Sequence, residues 1–584
     1  MKSNKNTIIA ILLIGLILLL TPSYLKWVSP PQQETPPIPV SENIGQGNGA
    51  AVSSSTLSTK LPSIGRAAEQ IPTVRPKEII ISETFISIET PYYFATLSSL
   101  GGGRITKWQL KNFAGLNNEP VIMINTLDTK NLGIRIIDVN RDTVDFSGFN
   151  WIPSYENLSM LNIGPGETRE VSFYTRTDEI GSVIRKTFTF NGDSYDFSLS
   201  LDVSGLREAT INNRYSLYWD TPLLSTEPYL KNDAEYARAL ALLGEDVEEI
   251  DATPGEIENE YFIGSVSWAA ARTKYFTAAV IPPRNQADRV LLNGTARNTP
   301  NDEVSKSYKF SLDIPVENEL TGYNHKFTIY VGPINLDLLK GYDVRLEKMM
   351  NFGWGFIRPI SRAALWVFVQ IHKVVPNYGF VIIIFSVLVK LLVYPLTHKS
   401  FVSMKKMQDL QPVIAELKEK YKDDQPTLQK KQMALFKEYG VNPLGGCLPM
   451  LLQMPLLFAL FNLFRTTIEL RGAGFIWWIK DLSSQDTLFT LPFSLPIYGD
   501  NVNFLPVFMG LTMYLQQKFS GQSASNQQQK MMGYFMPVFM VLFFNTFPSG
   551  LNLYYSLFNI LSVVQTKYLS DGFFSKKKSE KANS

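Results

Sequence analysis

The chain has one cysteine, Cys447, and three histidines, His325, His372 and His398. A single cysteine excludes an internal disulfide, and three scattered imidazoles offer no spacing for a zinc or haem site. No glycine-rich phosphate loop, nucleophile elbow or paired-cysteine motif is present. The net charge of +2 carries no basic excess of the kind nucleic acid attracts. The reading is therefore of a protein that is not an enzyme, takes no cofactor and makes no direct contact with nucleic acid. What is abundant is apolar: 45% of residues are hydrophobic and 12% aromatic, and they are clustered. Such segregation points to a membrane protein with a soluble part attached.

The soluble part comes first. Lys2 and Lys5 precede an unbroken apolar core at 8–20, and no small-x-small cleavage site follows, so 1–28 reads as an uncleaved transmembrane anchor. Residues 29–75, rich in Pro, Gln, Ser and Gly, cannot bury enough surface to offset their ordering entropy and read as a flexible linker. From 76 to 340 the apolar period becomes two, as in Phe197, Leu199, Leu201 and Val203, in Phe310, Leu312 and Ile314, and in Phe327, Ile329 and Val331. That alternation predicts a large antiparallel β-sandwich domain. Residues 344–362 mix Met, Phe and Trp with Arg and Lys and predict an amphipathic interfacial helix.

Apolar segments at 364–396, 444–465, 504–518, 531–548 and 550–569 make six spans with the anchor. Lys/Arg placement orients them. The 398–443 connection has nine lysines and the tail from 567 has five, whereas 467–503 has only Arg471 and Lys480. By the positive-inside rule both termini are cytoplasmic and the β domain lies outside. In 398–443, Phe401, Met404, Met407, Leu410, Ile414, Leu417 and Tyr421 share one helical face, Asp424 and Pro426 open a second helix through Leu428 and Leu435, and Gly440 ends it. The result is a cytoplasmic helical hairpin with an apolar seam. Met404, Met407, Leu410, Leu417 and Leu435 serve either to close it or to capture hydrophobic substrate segments.

Lys390 is the one charged residue in the apolar run at 378–396. A cation at membrane depth costs about 2.5–3.5 kcal/mol on insertion scales, and it faces a wet cavity or a partner unless it reaches an interface. Thr397 lies within two helical turns, so snorkelling is the plain alternative. In the last span Asn552, Ser556, Asn559 and Thr566 recur on one face, and Gln453, Thr512, Gln516 and Asn545 give neighbouring spans polar groups. Each alone serves as interhelical glue; together with Lys390 they make a polar groove lining.

From Tyr394 onward the pattern is specific. The stretches YPLTHKSFVSMKKMQDLQP (394–412), VNPLGGCLPMLLQMPLLFALF (441–461), WWIKDLSSQD (477–486) and FPSGLNLYYSLFN (547–559) resemble the YidC/Oxa1/Alb3 membrane insertase family. The anchor and large β domain resemble its Gram-negative branch. This resemblance implies a five-helix insertase core around a hydrophilic groove open to the cytoplasm and to lipid (364–570), a periplasmic β super-sandwich and a basic tail at 571–584. It places the family's groove cation, usually arginine, at Lys390. It also implies residence in the bacterial inner membrane. The implied partners are newly made membrane proteins, the Sec translocon with its accessory subunits, and, through a short and only mildly basic tail, ribosome–nascent-chain complexes held weakly. Two rivals stand beside it: a polytopic transporter or channel, and a tethered periplasmic sugar-binding protein.

Overall fold

The computed structural model describes residues 82–582 except 116–118, 156–157, 177–182, 207–208, 228–229, 285, 301–302, 318–321, 354, 423, 441–447, 496–497 and 520–526. The expected anchor and linker, and Cys447, lie outside the described residues.

From Phe85 to Pro333 the regular structure is mainly strand, in sheets of five, nine and six strands. Neighbouring strands are antiparallel apart from a short parallel pairing of Phe85–Glu89 with Met160–Asn162. Alternation sets the register. Phe197, Leu199 and Leu201 lie opposite Ile329, Phe327 and His325, and the apolar members are buried, worth about 1.5–3 kcal/mol each. Two central strands of the nine-stranded sheet, Val266–Arg272 and Phe276–Ile281, are buried along nearly their whole length, with alanines on both faces. That follows from cover by both neighbouring sheets: strands of the six-stranded sheet face this region, while Phe113 of the five-stranded sheet packs edge-on against Phe276.

Where the sheets meet, Gly101, Gly102 and Gly103 all have left-handed backbone, and a Cβ on Gly102 or Gly103 would strike Trp151 or Phe188. This turn offers a carbonyl to Lys186. The Lys186 ammonium is fully buried, donates to Gly101 O at 2.7 Å and Leu132 O at 2.6 Å, and lies 4.8 Å from the Trp151 ring centre. Burial pushes its pKa down to about 7, partly opposed by the Asp145 charge.

The helical half comprises α1 (Arg358–His372), α2 (Tyr378–Asp409), α3 (Gln411–Lys420), α4 (Gln425–Glu438), α5 (Leu448–Thr466), α6 (Phe504–Phe519), α7 (Gln527–Phe544) and α8 (Ser549–Ala582). Three boundaries depart from the sequence reading. The interfacial helix expected over 344–362 begins only at Arg358, because Gly353 takes a left-handed φ of +85° and Pro359 opens the helix. Before it stands a 3₁₀ turn, Leu346–Met349, fixed by Arg272 donating to Met349 O. The span expected at 364–396 is two helices, separated at 373–377, where Asn377 accepts from the amides of Gly379 and Phe380 and caps α2. The first hairpin helix, expected to run unbroken to Tyr421, breaks at Leu410 because Pro412 sits in the first turn of α3. Asp424 does cap α4, accepting from Thr427 N, and Gly440 ends it with a φ of +61°. Among the described residues, Tyr378–Pro395 is the one stretch long and apolar enough to qualify alone as a membrane crossing; Gly533–Phe544 is a shorter apolar helix.

The β domain meets the segment after α5 through buried charge. Arg471 Nε pairs with Glu227 at 2.7 Å, and its remaining nitrogens donate to Ala114 O and Thr226 O. Within α5 itself, Arg465 makes a more exposed pair with Glu235, and after it Asn335 Nδ2 donates to Glu469 at 2.9 Å. Burial pushes the Glu469 carboxyl up to about 7.

Candidate functional site: a polar seam around Lys390

Helix α8 packs against both α2 and α6, and the polar side chains collect along those contacts. Lys390, on α2, is 9% exposed. Its Nζ donates to Ser562 Oγ on α8 at 2.7 Å and lies 4.4 Å from the Phe558 ring centre. The side chain therefore reaches across to α8. A lysine snorkelling to an interface would leave its ammonium in water. Ser386 and Thr397, four residues before and seven after Lys390, are buried and return their hydroxyls to their own helix, at Ile382 O and Val393 O. They extend a polar face along α2.

The expected groove residues divide into groups. Asn559 Nδ2 donates to Thr512 Oγ1 at 3.2 Å and links α8 to α6. Ser556 is buried and Thr566 half-buried; their hydroxyls bond to Asn552 O and Ser562 O on α8 itself. Gln453 on α5 and Gln516 on α6 are half-buried. Asn545 and Asn552 do not face the seam. Asn545 Nδ2 donates to Tyr498 O and Asn501 O in the connection between α5 and α6, and Asn552 Nδ2 to Phe544 O and Phe547 O at the turn between α7 and α8. Their amides are spent on backbone carbonyls of the hairpin and of the α7–α8 turn.

Two residues went unremarked in the sequence. Ser562 lies three after Asn559 and four before Thr566, so the same spacing reaches it. Gln565 is buried, and neither of its side-chain polar atoms has a hydrogen-bond partner among the described residues.

In the hairpin, Leu410 and Ile414 are buried against Met407, Leu435 and Phe436. Leu417 is half-buried, and the side chain of Met404 lies outside the described residues. The hairpin's own seam thus uses three of the five residues expected to capture substrate. No group of three metal-binding side chains occurs among the described residues.

A β domain of this size joined to apolar helices with a buried cation defines a class, and the comparisons with known proteins give it a name. Residues 85–363 match the family model of the YidC periplasmic domain, and residues 370–577 that of the 60Kd inner membrane protein. The class is an inner-membrane protein carrying a periplasmic domain. The membrane protein insertase YidC of Chlorobium limicola is 38% identical over 493 residues, covering 84% of this chain and 83% of that protein. The counterpart from Chlorobaculum parvum is 34% identical over 574 residues, covering 97% and 94%. A crystal structure of an active YidC insertase with its first transmembrane domain resolved is 19% identical, covers 85% of this chain and 95% of that one, and superposes with a TM-score of 0.35. The chain belongs to the YidC family of membrane protein insertases, and its work is to insert newly made proteins into the inner membrane.

Proposed function

We propose that insertion runs along the seam between α2, α6 and α8, with Lys390 as its working cation. The observation that carries this reading is the placement of Lys390: its ammonium is turned from lipid onto the polar face of α8. A hydrophobic client segment supplies the driving force. Apolar residues are worth about 0.3–0.6 kcal/mol each on insertion scales, so roughly 20 of them provide on the order of 10 kcal/mol. The protein lowers the barrier for the polar flank, which shares the seam with Lys390, Ser556, Asn559, Ser562 and Gln565 and then follows the segment out into lipid. A cation there favours acidic flanks. No covalent chemistry and no cofactor enter this scheme. The helical hairpin makes the first capture by opening its Met407–Leu410–Leu435 seam. The arrangement has six spans, both termini in the cytoplasm and the β domain in the periplasm. The Sec translocon and the ribosome act as partners, the ribosome weakly.

The test is water in the seam. In a Cys447→Ser background, Ser562→Cys should react with a hydrophilic maleimide applied from the cytoplasmic side of liposomes and stay protected from outside. Protection from both sides would mean a dry seam and would overturn the reading.

A further inference from the structure

The loop between α5 and α6 ends in a two-stranded hairpin, Thr487–Leu495 paired with Gly499–Asn503. From 487 to 503 it has one charged residue, Asp500. Leu488, Phe489, Phe493 and Leu495 project from it, each between 42% and 59% exposed. A lone two-stranded hairpin is marginal in water, and four large apolar side chains on one such element exceed the scattered exposure of an ordinary surface.

The hairpin is nevertheless held along its second strand, from the turn residue Tyr498 to Asn503. Asn545 Nδ2 donates to Tyr498 O at 2.8 Å and Asn501 O at 2.7 Å, and Asn503 Nδ2 donates back to Asn545 Oδ1 at 3.1 Å. Asp486 accepts from the amides of Phe504 and Leu505 and so caps α6 where the hairpin ends. The apolar side chains are presented outward on a fixed support.

Their surroundings indicate the occupant. Helix α6 follows without a break and exposes Phe504, Val507, Leu511 and Leu515 at steps of three and four, a lipid-facing stripe continuous with the hairpin. Just upstream, Trp477 is 84% exposed, with a left-handed φ of 54°, and Trp478 packs edge-on against Phe504. Indole rings beside the end of a span favour the headgroup level. Pro492 has no N–H, which leaves one donor fewer to satisfy in a low-dielectric setting.

We propose that the paired strands Thr487–Leu495 and Gly499–Asn503 form a wedge seated in the outer leaflet beside α6, with lipid acyl chains covering Leu488, Phe489, Phe493 and Leu495. The proposal rests on the reading of α6 as a span. Unpaired strand-edge groups keep the wedge at the upper acyl level. Asn545 is its positioning residue. The wedge loosens outer-leaflet packing next to the helix whose Thr512 closes the polar seam with Asn559.

The test places nitroxides, one at a time, on the full chain with Cys447→Ser in liposomes, at Phe493→Cys, Phe489→Cys, Val507→Cys on α6 and Asp128→Cys on the exposed β domain. Collision with oxygen reports lipid, and collision with a nickel chelate reports water. Both hairpin labels should behave as the Val507 label does, accessible to oxygen and shielded from nickel. Hairpin labels resembling the Asp128 label, with Val507 still in lipid, would overturn the wedge. Labels shielded from both reagents would also overturn it, since protein would then be the occupant. A Val507 label open to nickel would instead remove the span reading beneath it. A second site on the hairpin keeps the result readable if one label perturbs folding.

Discussion

Of the lysines buried among the described residues, Lys186 in the β domain and Lys390 in the helical half differ most in their surroundings. Lys186 sits where the β sheets meet, closed in by the Gly101 turn, the Leu132 carbonyl and Trp151. Lys390 sits between two helices, donating to a serine hydroxyl and lying beside a face of further hydroxyls and amides. Backbone carbonyls cannot move without unfolding the strands or turn that hold them, so Lys186 is locked. A hydroxyl on a rotatable side chain releases its partner at the cost of about one hydrogen bond. Burial of charge is common to both, and an exchangeable partner is what the role proposed for Lys390 requires and Lys186 lacks.

The largest effect expected is at Lys390. Reversing its charge with Lys390→Glu should reduce insertion of acidic-tailed clients to background, whereas Lys390→Arg should stay near wild type, read by membrane insertion of such a client in reconstituted vesicles. Equal activity of the Glu variant would remove the electrostatic role and leave the two lysines alike.

Next in size is Lys186→Ala. It leaves two buried carbonyls short of a donor, each at about 1–3 kcal/mol, and opens a cavity among aromatic rings. The unfolding temperature of the β domain in the intact protein should fall by several degrees while insertion of acidic and neutral clients keeps its ratio. A changed ratio would show that Lys186 reaches the seam.

The pH dependence sharpens the contrast further. The Lys186 pKa is 10.5 in the unfolded chain and about 7 in the fold. Between those values the unfolded chain binds more protons, so stability rises with pH; at and below about 7 the burial penalty is fully present. Raising pH from about 7 to about 9 should therefore move the β-domain transition upward in calorimetry, and Lys186→Met should flatten that slope. A slope unchanged by the substitution would assign it to other groups.

The smallest effect is expected from Ser562→Ala, which removes one hydroxyl beside a cation, about 1.5–3 kcal/mol in a dry site and less where water replaces it. In a wet seam insertion should decline modestly. Loss as complete as that of Lys390→Glu would mean that Ser562 fixes the cation rather than parking it.

How far the sequence could be read depended on where the partners lie. Asp424, Pro426 and Gly440 delimit α4 through bonds and φ preferences within a few residues, so local signals sufficed. Period-two runs such as 197–203 revealed the β sandwich because a strand with one buried face must alternate. The near-continuously buried 266–272 and 276–281 follow no such rule, since cover on both faces erases the period. Asn545 shows a different limit. Spacing shows which helical face carries an amide, but it does not show that a loop 44 residues away leaves a carbonyl needing it. Ser562 was within reach of the spacing argument, but its distinction lies in Lys390, 172 residues earlier in the chain.

The central claim is tested most directly in liposomes containing the purified protein. A small membrane protein with an acidic tail is synthesised beside them, and protection of that tail from external protease is measured for wild type, Lys390→Ala and Lys390→Arg. Protection in wild type and Lys390→Arg that falls to the level of empty liposomes in Lys390→Ala is the predicted result. Protection by Lys390→Ala equal to wild type would contradict it and return Lys390 to the structural role that Lys186 holds.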